Sequence, residues 1–272
     1  MADRQKEDNP LNVKLYIAMH KPYRTPQDGM YVPLQVGAAQ HEAFLEARDN
    51  GGEDQISGKN STFCELTGLY WMRRNAAADA VGLVHYRRHF SLGRTKDVWE
   101  SVLAQEQAEK LLDAHEAVLP KKRHYVIETN WSQYAHAHYE KDLTATREVL
   151  RELCPEYIPA FDATMKRRSG HRFNMMIMRQ ARFEQYCDWL FPILFELEKR
   201  IDISDYDAYN KRVFGFIGER LLDVWAETVR LDYCEIPVID MEPVNWAKKG
   251  GAFVMRKLKA LCGKGDGLRS KS

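Results

Sequence analysis

The sequence predicts an α/β fold with a helix-rich C-terminal half. Three observations lead there. The chain opens on a strand-like run that ends in a polar, Pro-containing loop, as α/β nucleotide-binding folds do. A second buried run, VGLV at residues 81–84, follows on an apolar-striped helical segment. From about residue 139 onward, long segments of helical periodicity dominate. The 272 residues suit one large α/β domain, and no internal repeat or low-complexity linker divides them.

Taken in order, residues 1–11 are polar and read as a disordered leader, and residues 12–246 read as one domain. Residues 12–20, NVKLYIAMH, are the first strand. Residues 46–60 carry Gly51, Gly52 and Gly58 and read as loop. Thr62 and Glu65 have the T-x-x-E spacing of a capping box, followed by Phe63, Leu66, Leu69, Tyr70 and Trp71 as an apolar stripe. The strand of Val81–Val84 comes next. Residues 100–116 read as a helix, and 117–129 as strand or extended loop. Residues 139–167 are mostly helical, with a break at Pro155. Residues 172–179 read as a buried strand, 183–200 and 212–228 as helices, and CEIPVI as a final strand.

Composition narrows the function. The net charge of +1 excludes a globally basic nucleic-acid binder, and no nucleic-acid partner is expected. Five dispersed cysteines without a C-x-x-C pair fit a reducing compartment and give no zinc spacing. No secretory signal or apolar run of membrane-span length is present, so the expected location is cytoplasmic. Residues 247–272 are different: eight Lys or Arg face the single acid Asp266, with Phe253, Val254, Leu258 and Leu261 at helical spacing. A basic amphipathic tail of this kind suits peripheral contact with an anionic inner leaflet, and a solubilising tail is the other reading.

The densest chemistry is HYRRHF, residues 85–90. Strand alternation would put His85 and Arg87 on one face, Tyr86 and Arg88 on the other. Guanidiniums at the C-terminal end of a buried strand stand where α/β sheets bind ligands, and they suit phosphate or carboxylate. A structural salt-bridge cluster would use the same residues. In SGKNSTF, Lys59 and Asn60 precede a helix without the spacing of a phosphate-binding P-loop, so a capped helix with a surface lysine is the plainer reading. His171 and Asn174, in GHRFNMMIM, are candidate sugar ligands or parts of a polar loop before a packed strand. In RVFGFIGERLL, Arg212, Gly215, Glu219 and Asp223 share roughly one helix face; Glu219 is a candidate general base, or one group of a solvated face. HAHYEKD holds His136, His138, Glu140 and Asp142, an H-x-H on a strand that could hold a metal or simply hydrogen-bond. Asp205 and Asp207 match a two-carboxylate motif by letters only.

Several segments together carry a resemblance: MHKPY, YVPLQVGA, SGKNSTFCELTGLYWMRRN, VGLVHYRRHF, LPKKRHYVIET, FNMMIM, YCDWLFPILFELEKR, RVFGFIGERLL and EPVNW, in this order over about residues 12–246. The chain resembles a family of bacterial glycosyltransferase-like proteins from capsular and exopolysaccharide gene clusters, formerly labelled only as a domain of unknown function. The resemblance implies a GT-A-like nucleotide-sugar-binding sheet flanked by helices. It also implies hexosyl transfer, galactosyl as pyranose or furanose, from a UDP-sugar to a lipid-linked, growing cell-surface polysaccharide. On that basis His20, Lys21, Lys59, Asn60, His85 and Tyr86 are expected at the donor, Arg87 and Arg88 at the leaving group, Glu219 as base, and His171 and Asn174 at the sugar. GT-A enzymes hold a divalent manganese or magnesium ion on a D-x-D at the equivalent strand end. Here that strand ends in His85-Tyr86-Arg87, so no cofactor or metal ligand is named. The rival reading is a non-catalytic glycan- or phosphate-binding subunit of a polysaccharide assembly system.

Overall fold

A nearly continuous apolar run forms the first strand, β1 (Val13–Met19), with Leu15 and Ile17 fully buried. The computed structural model describes residues 10–242. The expected leader, up to residue 9, and the basic tail at 247–272 lie outside them. Residues up to Ile239 form one compact unit; a second begins at Asp240, of which 240–242 are described.

The elements follow the expected alternation. After β1 come β2 (Tyr31–Gln35), α1 (Asn60–Phe63), α2 (Leu66–Asn75), β3 (Ala80–His85), β4 (Arg88–Phe90), α3 (Gln105–Ala114), β5 (Ala117–Pro120) and β6 (Arg123–His124). The C-terminal half holds α4 (Asn130–Ala137), α5 (Glu140–Leu153), α6 (Ile158–Lys166), β7 (Ser169–Gly170), β8 (Met176–Arg179), α7 (Gln180–Arg200) and α8 (Val213–Thr228), then β9 (Tyr233–Ile236) and β10 (Val238–Asp240). Pro237, which cannot donate to a ladder, divides the expected final strand into β9 and β10.

The main sheet runs β2-β1-β3-β8-β5-β9. β2, β1 and β3 are parallel, as are β5 and β9; β8 is antiparallel to both of its neighbours. On the β8 side of β3, pairing with β8 stops at Leu83, and β4 takes over at His85↔Arg88. α7 packs on β3 and β8 and α3 on β1 and β5, while α2, α5 and α8 pack against α7. α8 is buried nearly all round, with Trp225 fully enclosed, which explains its almost uninterrupted apolar sequence.

Two local readings are corrected. The alternation of HYRR across two faces fails because the strand ends at His85: Tyr86 and Arg87 form a tight turn, and Arg88 begins β4. The capping box does not form either. Thr62 Oγ1 donates to the Lys59 carbonyl, and the helix breaks at Cys64, which takes φ +54° before α2 restarts. Asn60 holds this break, donating through Nδ2 to the Cys64 carbonyl (2.8 Å) and to Thr67 Oγ1 (3.0 Å). Glu65 therefore leaves the helix-capping role its spacing suggested.

Gly82 shows how tightly β3 and β8 approach. A Cβ there would stand 2.4 Å from the Met176 carbonyl oxygen and 2.6 Å from a Leu15 methyl. Both are fixed core groups, so Gly82→Ala must force the strands apart. Its denaturant midpoint should fall by the equivalent of at least about 1–3 kcal/mol, the usual scale of core overpacking. An unchanged midpoint would mean that the two strands are free to separate.

Candidate functional site

Parallel strands that stop together create a crevice at their carboxyl ends, and a cleft of about 500 Å³ lies there. Ala18 from the end of β1 and His85 from the end of β3 form its base. The Tyr86-Arg87 turn, Arg88 and His20 form one side. Asn60, Ser61, Cys64 and Glu65 form the second. Phe173, Ala208, Arg212 and Glu219 close the third. Seven of the expected site residues meet here: His20, Asn60, His85, Tyr86, Arg87, Arg88 and Glu219.

The turn that leads into β8 ties these walls together. Phe173 (φ +79°) and Asn174 (φ +50°) both occupy the left-handed region, which is costly for residues with a Cβ. His85 Nε2 lies 2.6 Å from the Phe173 carbonyl, so that nitrogen carries the proton. The Phe173 N–H donates to Glu219 Oε1 at 2.9 Å. Asn174, almost fully buried, donates through Nδ2 to Glu65 Oε1 (2.6 Å) and to the Gly215 carbonyl (3.1 Å). The Arg88 guanidinium lies over the Phe173 ring, 4.5 Å from its centroid. Asn174 thus acts beneath the cleft, as the holder of a carboxylate rather than as part of the lining.

Positive charge in the cleft comes from Arg87 and Arg88 on the first side and Arg212 on the third. Its effect registers on His20, whose pKa lies below the ordinary value, through burial first and then through Arg87 and Lys21. The His20 ring meets Tyr86 edge-on, with Nε2 3.2 Å from the phenol oxygen. Arg212 donates to Cys64 Sγ at 3.1 Å; burial, then the charge of Glu65, pushes that thiol up to about 12, which leaves it inert. Two carboxylates share the lining with them. Glu65 is held by Asn174. Glu219 is held by the Phe173 N–H and lies 3.5 Å from the buried Arg220 guanidinium.

The remaining expected ligands stand elsewhere. Lys21 is outside the lining, its Nζ 5.7 Å from the Tyr86 ring centroid. Lys59 turns to α7, pairs with Glu198 and lies near the Phe63 and Phe195 rings. The H-x-H pair is not on a strand. His136 sits on α4 against Glu128 (2.7 Å), while His138 pairs with Asn210 (2.9 Å), its pKa lowered to about 4 chiefly by burial. Asp142 accepts the Tyr134 and Tyr206 hydroxyls, and Asp207 caps Asn210. Asp49, from the glycine-rich loop, is buried and accepts from Gly37 N, Ala38 N, Ser57 and Thr67. Among the described residues no group of three or more His, Cys, Asp or Glu converges as a metal site. The end of β3 offers guanidiniums, which repel a divalent cation, so the donor set there does not fit one. Sequence reasoning missed Glu65, Cys64 and Phe173 as cleft residues. It noted Arg212 only as a member of a helix face. Glu65 was hidden by its capping-box spacing.

The comparisons agree with this architecture. The model of the family described as Domain of unknown function (DUF4422) matches residues 14–230. Among solved structures, the chain is similar to one described as the apo structure of the bifunctional glycosyltransferase WbbM, with a TM-score of 0.78 and 29% identity over 85% of this chain. The match takes in 46% of that structure, so the chain spans about half its length. No functionally curated protein matches.

His171, expected at a sugar, is fully buried behind the cleft between two carboxylates. Nδ1 bonds Asp223 at 2.6 Å, and Nε2 lies 3.3 Å from Glu235 without the alignment of a hydrogen bond. Burial disfavours the charged ring, but Asp223 and Glu235 outweigh it and raise its pKa above the ordinary value. Glu235 is held down to about 2, by His171 first. The raised histidine contributes its full stability below its unfolded pKa of roughly 6.5 and loses it as pH climbs through the folded value. The depressed Glu235 contributes fully above roughly 4.5 and loses it as pH falls through the folded value. Stability should therefore plateau between these limits. The melting-temperature gap between wild type and His171→Asn should narrow as pH rises from 6 to 9. A gap constant with pH would mean that the imidazole is uncharged in the fold.

Proposed function

We propose that this chain, which belongs to the DUF4422 family, is a GT-A-type glycosyltransferase. It moves a hexosyl group, galactosyl above all, from a UDP-sugar to a growing cell-surface polysaccharide. The observation that carries this reading is the cleft itself: three guanidiniums and two carboxylates lining one cavity at the carboxyl ends of parallel strands, in a fold similar to a solved glycosyltransferase.

The chemistry follows from the charges. The donor diphosphate lies against Arg87, Arg88 and Arg212. An acceptor hydroxyl oxygen attacks the anomeric carbon, the bond from that carbon to the β-phosphate oxygen breaks, and UDP departs with the electron pair. Guanidiniums aimed at the diphosphate stabilise the negative charge that grows there, the task a divalent cation performs on a D-x-D. Glu219, fixed by the Phe173 N–H, takes the hydroxyl proton. Its partner carboxylate Glu65 orients hydroxyls. His20, Asn60, His85 and Tyr86 complete the donor walls. Lys21 supplies further positive potential beside Tyr86, and Lys59 contributes only through its pairing with Glu198.

A screen for UDP release across sugar nucleotides, with acceptor glycan, tests the reading. UDP-galactose should give the highest turnover, and EDTA should leave most of it intact. Arg87→Ala and Arg88→Ala should each lower turnover by at least about 10²-fold while remaining folded, the scale of losing one electrostatic stabiliser. Glu219→Gln should lower it by about 10²–10⁴-fold, the scale of losing a general base, and Glu65→Gln by less. No release from any sugar nucleotide would point to a binding subunit instead. Strict dependence on manganese or magnesium would remove the guanidiniums from the metal's role.

A further inference from the structure

A second cavity, of about 350 Å³, lies between the β1–β2 loop and the segment that follows β4. Its chemistry differs from that of the donor cleft. Arg24, Asp28, Tyr31, Asp97, Trp99 and Glu100 carry its polar and aromatic lining, so three carboxylates face one guanidinium.

The cavity is built rather than incidental. Asp28 bridges the two loops, accepting from Met30 N through Oδ1 (3.0 Å) and from Gln105 N through Oδ2 (2.9 Å). Tyr31 donates its hydroxyl to the Leu103 carbonyl at 2.8 Å. Asp97 Oδ1 accepts the Trp99 N–H at 2.9 Å and sets the start of the turn that presents the indole. Trp99 is half-buried, backed by the buried His89 ring at 6.4 Å, with the Arg24 guanidinium 4.4 Å from its centroid. A chain of ring contacts links its wall to that of the donor cleft. Tyr86, which lines that cleft, meets Tyr23 edge-on at 5.2 Å, and Tyr23 meets Trp99 at 6.5 Å.

We infer that this cavity is a subsite for a neutral hexose of the acceptor glycan, set back along the chain from the hydroxyl that receives the transferred sugar. The inference rests on the glycosyl-transfer reading. A pyranose has an apolar C–H face and a rim of hydroxyls. The Arg24–Trp99 stack, a guanidinium plane over an indole, is the flat platform for the face, and Asp97 and Glu100 match the rim as acceptors. The excess of carboxylates disfavours uronic acids and phosphorylated sugars through like charge. Cations at one end and carboxylates at the other thus divide the surface between an anionic donor and a neutral acceptor.

Titration calorimetry of the full chain tests this, with a β-linked galactose trisaccharide as neutral probe, a trigalacturonic acid as its anionic counterpart, and UDP as a report on the donor cleft. The neutral trisaccharide should bind wild type. Trp99→Ala should weaken it by at least about tenfold, the scale of losing an aromatic anchor, and Trp99→Phe should restore most of the affinity. UDP affinity should be the same in all three proteins, which also reports that the variants are folded. Trigalacturonic acid should bind at least about tenfold more weakly. Trp99-dependent trisaccharide binding without UDP binding would uphold the subsite while removing the transfer reading. No trisaccharide binding to wild type, equal affinity in Trp99→Ala, or preference for the acid would overturn the inference.

Discussion

Two consecutive left-handed residues, Phe173 and Asn174, hold the cleft together. Their conformation costs of the order of 1–3 kcal/mol each, and it persists because the surroundings over-determine it. The end of β3 grips the Phe173 carbonyl through His85, α8 receives the Phe173 N–H on Glu219, and Asn174 reaches across to Glu65. Without this turn the strand end, the buried helix and the broken α1–α2 segment would have no common reference. The glycines of α8 belong to the same constraint. A Cβ at Gly215 would stand 3.0 Å from Cys64 Sγ, and one at Gly218 would stand 3.1 Å from Asn174 Oδ1.

What the turn organises is an electrostatic pattern. Guanidiniums from the β3–β4 hairpin and from the approach to α8 share the cleft with two carboxylates whose positions are set by neutral donors, a backbone N–H and an amide. Each of these donors fixes one carboxylate oxygen in place. Burial and then the cations depress His20, whereas His171 pairs with Asp223 and Glu235, none of the three lining the cleft.

Much of this was legible in the sequence, and the limits are instructive. The runs VKLYIAM and AVGLVH announce β1 and β3 because burial on both faces leaves continuous apolar sequence. HYRR lines the cleft because it follows directly on such a run, at the carboxyl end of β3. What failed was whatever depends on distant partners or unusual backbone. The capping box at Thr62 is undone by Cys64 adopting a positive φ under the grip of Asn60. Lys59 is drawn off by Glu198, 139 residues away, and His171 by Asp223, 52 residues away. Asn174 was placed near the sugar when it acts one layer beneath, on Glu65. Local pattern carries secondary structure and composition; it does not carry which buried carboxylate claims which cation.

The central claim is that guanidiniums at the end of β3, rather than a metal, make this cleft a diphosphate site. Calorimetric titration of metal-free protein with UDP, UMP and uridine tests it most directly. The account predicts that UDP binds in EDTA, that affinity falls in steps from UDP to UMP to uridine, and that the Arg87→Ala/Arg88→Ala double variant removes the steps while keeping uridine binding. Equal affinity for UDP and uridine, or UDP binding that appears only when manganese or magnesium is added, would contradict it.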